Sequence, residues 1–183
     1  MKYLAILAIM AALLVSCGGD PPIVPAFAPP ATAQPTAVAL KDIDLEPLLV
    51  QAGDLPSGMS AAQVKDTAPL GMKEYPIATK AIDQRFQRGN KTVGGVVVLL
   101  YEQQADLNQA AALAIKLDKY SEVLSDVGTQ AKLFLGTDAF PVRGVTFVRC
   151  RAVVDVTMSE VDTSEVTAYA KRLDKRLQSV ICP

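Results

Sequence analysis

Residues 97–119 read VVLLYEQQADLNQAAALAIKLDK and residues 153–175 read VVDVTMSEVDTSEVTAYAKRLDK, and the two stretches align without a gap. Val97, Val98, Asp106, Ala112, Ala114, Leu117, Asp118 and Lys119 meet identical residues 56 positions later. Each stretch passes from an apolar, β-branched run through a short loop into a 3.6-residue periodicity. Each therefore reads as strand, loop, helix.

The helical halves carry matching signals. Asp106 with Gln109, and Asp162 with Glu165, have capping-box spacing, in which the first side chain accepts from a first-turn N–H and the second reaches back to the cap. Leu107, Ala110, Ala114, Leu117, Ser121 and Leu124 share one helical face, as do Val166, Tyr169, Ala170, Leu173, Leu177 and Val180. Gly128 is the expected stop of the first helix and Pro183 of the second.

Working outward, an extended stretch precedes each copy: 81–88 before the turn signal Gly89-Asn90, and 145–149 before Cys150-Arg151. The repeating unit is then strand, strand, helix, used twice. This predicts an α+β fold: an antiparallel sheet with two helices packed on one face, built from two β-β-α repeats. Residues 130–135 read as a further strand and 136–144 as a loop. Asp44 is placed to cap a short helix over 45–51, which ends at GDLPSG, residues 53–58.

The strand from Val96 to Tyr101 is apolar on both faces, with Val96, Val98 and Leu100 on one and Val97, Leu99 and Tyr101 on the other. Its counterpart carries Val154, Val156 and Met158 on one face but Val153, Asp155 and Thr157 on the other, the pattern of a strand half in water. The first strand therefore needs cover on its second face. Either the chain's own segment 45–59 supplies it, or the face forms a groove for a small apolar ligand, a lipid tail or another protein.

At the other end, MKYLAILAIMAALLVSC opens with a positive residue, continues with an apolar run from Tyr3 to Val15 and reaches the small residue Ser16 before Cys17. The run is short for a membrane span. Leu14-Val15-Ser16-Cys17 resembles the lipobox of bacterial lipoproteins. The resemblance implies that residues 1–16 are a lipoprotein signal peptide, that Cys17 is the lipidation site, and that two or three acyl chains hold the protein to the extracytoplasmic face of the cell membrane. Residues 17–40, rich in Pro and Ala, read as a tether, and 41–183 as a single domain. Extended polyproline over about twenty-three residues at ~3.1 Å each reaches at most ~70 Å.

With Cys17 given to lipid by that resemblance, Cys150 and Cys182 remain in an oxidising compartment, and a disulfide is the economical expectation. Geometry agrees. A strand running out from Cys150 for ~27 Å and a helix returning nearly the same length bring Cys182 back beside it.

Composition excludes more chemistry than it suggests. The chain has no histidine, so His-based triads and His-containing zinc sites are ruled out. Removal of residues 1–16 leaves 17 basic against 19 acidic side chains, a balance of −2 that gives nucleic acid nothing to bind. No phosphate-cradling glycine loop or calcium loop occurs. The residues name no catalytic, metal or cofactor site, and the chain reads as no enzyme. Asp118 and Asp174 are the carboxylates that invite a paired acid–base reading, set against two solvated acids beside Leu117 and Leu173. Arg85, Arg88 and Lys91 flank the first turn and Arg149 and Arg151 the second, a basic cluster for phosphate head groups or an acidic partner, or simply solvated turn ends.

The apolar segment running into Asp54-Leu55-Pro56-Ser57-Gly58 resembles the start of secreted bacterial sensor-like domains, including the PknH-like extracytoplasmic sensor family. That resemblance implies ligand binding outside the membrane and carries no ligand residues onto this chain. The expectation is a binding or sensor module at the envelope, its partner an envelope protein. The alternative is a carrier of a lipid or small hydrophobic ligand.

Overall fold

In the computed structural model the described residues are 39–62, 75–139 and 141–182. The expected signal peptide, Cys17 and nearly all of the tether lie outside them. Seven strands form one sheet: β1 (Ser60–Ala61), β2 (Lys80–Arg88), β3 (Lys91–Leu100), β4 (Ser121–Val123), β5 (Gln130–Phe134), β6 (Val142–Arg149) and β7 (Ala152–Ser159). Their spatial order is β1-β2-β3-β7-β6-β5-β4, and every neighbouring pair is antiparallel. Helix α1 (Gln104–Ala114) follows β3 and α2 (Thr163–Ile181) follows β7. The class is α+β, as the sequence predicts.

One expectation is overturned. The helices do not share a face of the sheet but cover opposite faces. At the centre of the sheet β3 lies beside β7 with Val97 opposite Asp155, Val98 opposite Val154 and Leu99 opposite Val153. Directly opposed residues point the same way, and successive residues alternate. Helix α1 packs Leu107, Ala110 and Ala114 on Leu99, Tyr101, Val148 and Val153. Helix α2 packs Val166, Tyr169, Leu173 and Leu177 into the cluster that holds Val96, Val98, Val154, Val156 and Phe147. The doubly apolar β3 is thus explained: a central strand covered on both sides must be apolar on both. The segment 45–59 does not cover the second face. Leu48, Leu45, Leu55 and Met59 join α2 on its own side.

That side is the main core. Phe86 and Tyr169 meet edge to face at 5.5 Å, and both are fully buried. Leu40, assigned to the tether by sequence, is also fully buried there, so the packed domain begins before residue 41. Its amide donates to Glu102 Oε2 at 3.1 Å. Each such aliphatic or aromatic side chain contributes about 1.5–3 kcal/mol on burial.

The two capping-box signals fare differently. Asp162 caps α2 in a capping box with Glu165, whose Oε2 accepts from the Asp162 amide at 3.1 Å. The capping box expected for α1 does not form, because that helix starts earlier, at Gln104, with Gln103 as its cap residue. Nor does α1 run to Leu124 or stop at Gly128. It ends at Ala114, and Ser121–Val123 becomes edge strand β4. After Ala114 the Asp118 carboxylate closes a turn in place of further helix: Oδ1 accepts from the Tyr120 amide and the Ser121 hydroxyl, each at 2.9 Å. The helix expected over 45–51 is a single 3-10 turn, Glu46–Leu48, whose Glu46 amide donates to Asp44 Oδ1 at 2.9 Å. Strand β6 begins at Val142, which shortens the loop expected over 136–144.

Cys150 and Cys182 form the disulfide, with Cα atoms 5.6 Å apart, and so tie the β6–β7 turn to the end of α2. Closure of this loop contributes about 3–4 kcal/mol in the chain-entropy model. Glycine is required at two tight places. A Cβ on Gly94 would lie 2.1 Å from the Thr157 carbonyl oxygen across the β3–β7 pair. A Cβ on Gly128, at φ +62°, would lie 2.5 Å from that of Val148.

Candidate ligand-binding site

The acidic pair is not a pair. Asp174, buried on α2, receives both Arg149 Nε and Arg149 Nη2 at 2.6 Å and so ties the helix to β6. This bidentate bond holds the Arg149 guanidinium charged, above its ordinary range. Asp118 sits exposed in the turn after α1, where its bonds to Tyr120 and Ser121 lower its carboxyl below the usual range. The two acids belong to different faces of the sheet and share no chemistry.

The basic cluster is dispersed as well. Arg85 pairs with Asp83 at 3.0 Å, while Arg88 and Lys91 both reach Glu160, at 3.1 and 2.5 Å. Arg151 faces Glu102 at 3.5 Å. Antiparallel pairing puts the β2–β3 turn beside the end of β7, and the β6–β7 turn beside the end of β3. The two basic groups therefore sit at opposite ends of the central strands, each answered by acids.

Concave sites among the described residues include one on each face of the sheet and another of about 440 Å³ after α1, lined by Ile115, Leu117, Val123, Leu124, Val127 and Ala131. The first lies between α1 and the sheet, a pocket of about 180 Å³ lined by Val97, Leu99, Ala114, Val153, Thr146 and Asp155, with Tyr75 and Lys132 completing it. Register explains its chemistry: Val97, Asp155, Thr146 and Lys132 form one row across β3, β7, β6 and β5. The Thr146 hydroxyl donates to Asp155 Oδ1 at 2.7 Å. Lys132 Nζ donates to the Lys116 carbonyl at 3.1 Å. Burial raises the Asp155 carboxyl above its ordinary range, against the lowering effects of the Thr146 bond and the Lys132 charge. Nearby, burial pushes the Tyr101 hydroxyl up to about 12.

The second site is a cleft of about 590 Å³ beside β1 on the opposite side, lined by Leu49, Val50, Leu55, Met59 and Gln84 among others. Gln84 spans it. Its Oε1 accepts from the Val50 amide at 2.9 Å, and its Nε2 donates to the Ala62 carbonyl at 3.3 Å. One wall is pinned from behind by Asp54, which is 5 % exposed. Its Oδ2 accepts from the Gln51 amide at 2.8 Å and from Arg176 Nη1 at 2.6 Å, while Arg172 Nη2 donates to the Asp54 carbonyl at 2.5 Å. The Tyr169 hydroxyl, raised by burial, and Arg176 Nε and Nη2 are buried there without a hydrogen-bond partner among the described residues.

Sequence reasoning missed Asp155, Thr146 and Lys132 as a group, and Asp54 as an anchor for two arginines. A signal existed for Asp155, the one acid inside the Val153–Met158 strand. No local signal places Lys132 or Thr146 beside it. Among the described residues no group of three or more acidic or thiol side chains is poised to hold a metal ion, and no helix is long and apolar enough to cross a membrane. Comparison with protein-family models, with curated proteins and with solved structures finds no match to this chain.

Proposed function

We propose that this chain is an extracytoplasmic lipoprotein, held to the membrane through Cys17, whose domain binds a ligand or an envelope partner without acting on it chemically. The anchor rests on Leu14-Val15-Ser16-Cys17 behind the apolar run. The binding reading rests on the cleft beside β1, whose volume of about 590 Å³ is that of a small-molecule or short-peptide site. Its mixed polar and apolar lining suits a polar ligand or a segment of a partner protein. Reading the domain as two copies of one β-β-α unit is supported by the eight identities at a spacing of 56 and by a hairpin ahead of each helix.

Carriage of a hydrophobic ligand is the second reading, favoured by the pocket under α1. At about 180 Å³ it suits a molecule the size of benzene or slightly larger, since a cavity of roughly 150 Å³ holds benzene. It is too small for an acyl chain.

Detergent phase partition of the full chain and its Cys17→Ser variant tests the anchor: wild type enters the detergent phase and the variant does not. Equal partition of the two overturns it. A photo-cross-linking residue in place of Met59, compared with one in place of the exposed Glu122, tests the cleft in the producing cell. An adduct confined to the Met59 position is expected, and none at either position removes the cleft as the binding site.

A further inference from the structure

Asp155, a half-buried acid on β7, ties no helix or loop to the sheet. Asp174 ties α2 to β6, Asp54 ties α2 to the segment before β1, and Asp118 closes a turn. Asp155 stands instead among the Val97, Leu99, Val153 and Ala114 side chains, beside an open volume. Among the described residues, its one hydrogen-bond donor is the Thr146 hydroxyl, on Oδ1. The nearby ammonium of Lys132 is committed to the Lys116 carbonyl. A partly desolvated carboxylate with spare acceptor capacity gains from a donor brought in by a ligand, and such a charge-assisted bond is stronger than a neutral one.

We propose that the pocket under α1 binds a compact uncharged molecule, an apolar body bearing one hydroxyl, with the hydroxyl donating to Asp155. The walls and the volume set the body: about six to eight non-hydrogen atoms, by comparison with benzene-sized cavities. Charge sets the head. A carboxylate-bearing ligand meets Asp155 as a like charge, and an ammonium meets the Lys132 ammonium as one. A hydroxyl meets neither penalty. The inference deepens the second reading, carriage of a small hydrophobic ligand, and rests on neither the lipid anchor nor the cleft beside β1.

Benzyl alcohol, toluene and benzoate are the probes, titrated into the full chain while the methyl signals of Val97, Val153, Leu55 and Met59 are followed by NMR. Benzyl alcohol is expected to move Val97 and Val153, to bind roughly tenfold more tightly than toluene, and to outcompete benzoate. Asp155→Val should erase the preference for the alcohol while leaving toluene binding in place. Ala114→Leu should fill the pocket and weaken both. Equal affinity for alcohol and toluene in the wild type, or a preference that survives in Asp155→Val, overturns the proposal. So does movement of Leu55 and Met59 alone, an outcome that leaves the binding-module reading standing at the other cleft. Absence of movement at all four methyls also overturns it, and the cross-linking test at Met59 then decides the wider reading separately.

Discussion

Leu117-Asp118-Lys119 and Leu173-Asp174-Lys175 are the same tripeptide in two places, and the fold treats them in opposite ways. In the second hairpin and helix, Leu173 is fully buried and Asp174 binds Arg149 from within the nineteen-residue α2. In the first, α1 has already ended after eleven residues; Leu117 is 47 % exposed and Asp118 closes a turn. Tyr169 fills the main core, while Leu113, its counterpart by alignment, is half out in solvent. Periodicity alone does not hold a helix together. Tertiary packing of a bulky face does, and the alanine-rich face of α1 has less to pack. The small residues that shorten α1 also leave room for the pocket beneath it.

The contrast can be broken at several points, the strongest first. The disulfide fastens the end of α2, and α1 has no such covalent tie. Cys150→Ser with Cys182→Ser should cost about 3–4 kcal/mol in denaturant unfolding, read as a lower midpoint with a steeper slope, because the unfolded chain freed of the cross-link exposes more surface. A loss below about 1 kcal/mol would mean that packing alone holds the end of α2.

Leu173→Ala should cost about 3 kcal/mol through a core cavity, whereas Leu117→Ala should leave the midpoint nearly unchanged. Equal losses would show that α1 continues past Ala114 in solution. Asp174→Ala strands the Arg149 guanidinium, whose side chain is 20 % exposed. A cost of about 2 kcal/mol is expected, reduced from the fully buried case by that exposure. Asp118→Ala should lower Tm by less than Asp174→Ala does, since its turn is exposed, and the double variant Arg149→Met with Asp174→Leu should recover most of the loss.

The smallest effect is on pH dependence. The folded Asp155 carboxyl titrates above its unfolded value of about 4. Its contribution to folding is therefore fully present below that value and is lost as pH rises through the folded one. Asp155→Asn should gain stability relative to wild type between pH 4 and pH 7, read from denaturant midpoints at the two pH values. A constant difference across that range would mean that the Asp155 carboxyl is not raised.

How much of this was legible follows from which contacts are local. The hairpin of β2 and β3 is legible in Gly89-Asn90, because a turn and its two extended flanks adjoin along the chain. Helix α2 was read from Asp162, Glu165 and a stripe of bulky residues. The cysteine pairing followed from one strand out and one helix back. The failures gather around α1. Its stripe of Leu107, Ala110 and Ala114 extends on paper through Leu117, Ser121 and Leu124, and nothing in those residues announces that Ser121–Val123 pairs with β5 instead. The pocket failed for the same reason, since Lys132, Thr146 and Asp155 come from three strands.

By itself the sequence determined the α+β class, the order of hairpins and helices, the disulfide and the presence of a strand apolar on both sides. Those depend on capping, turn chemistry and periodicity, which act over a few residues, or on simple chain length. Only the tertiary structure decided which face each helix covers and therefore where the pocket lies. That choice is made when β3 pairs with β7, because the register of this one long-range pairing fixes which alternate side chains of both strands point toward α1 and which toward α2.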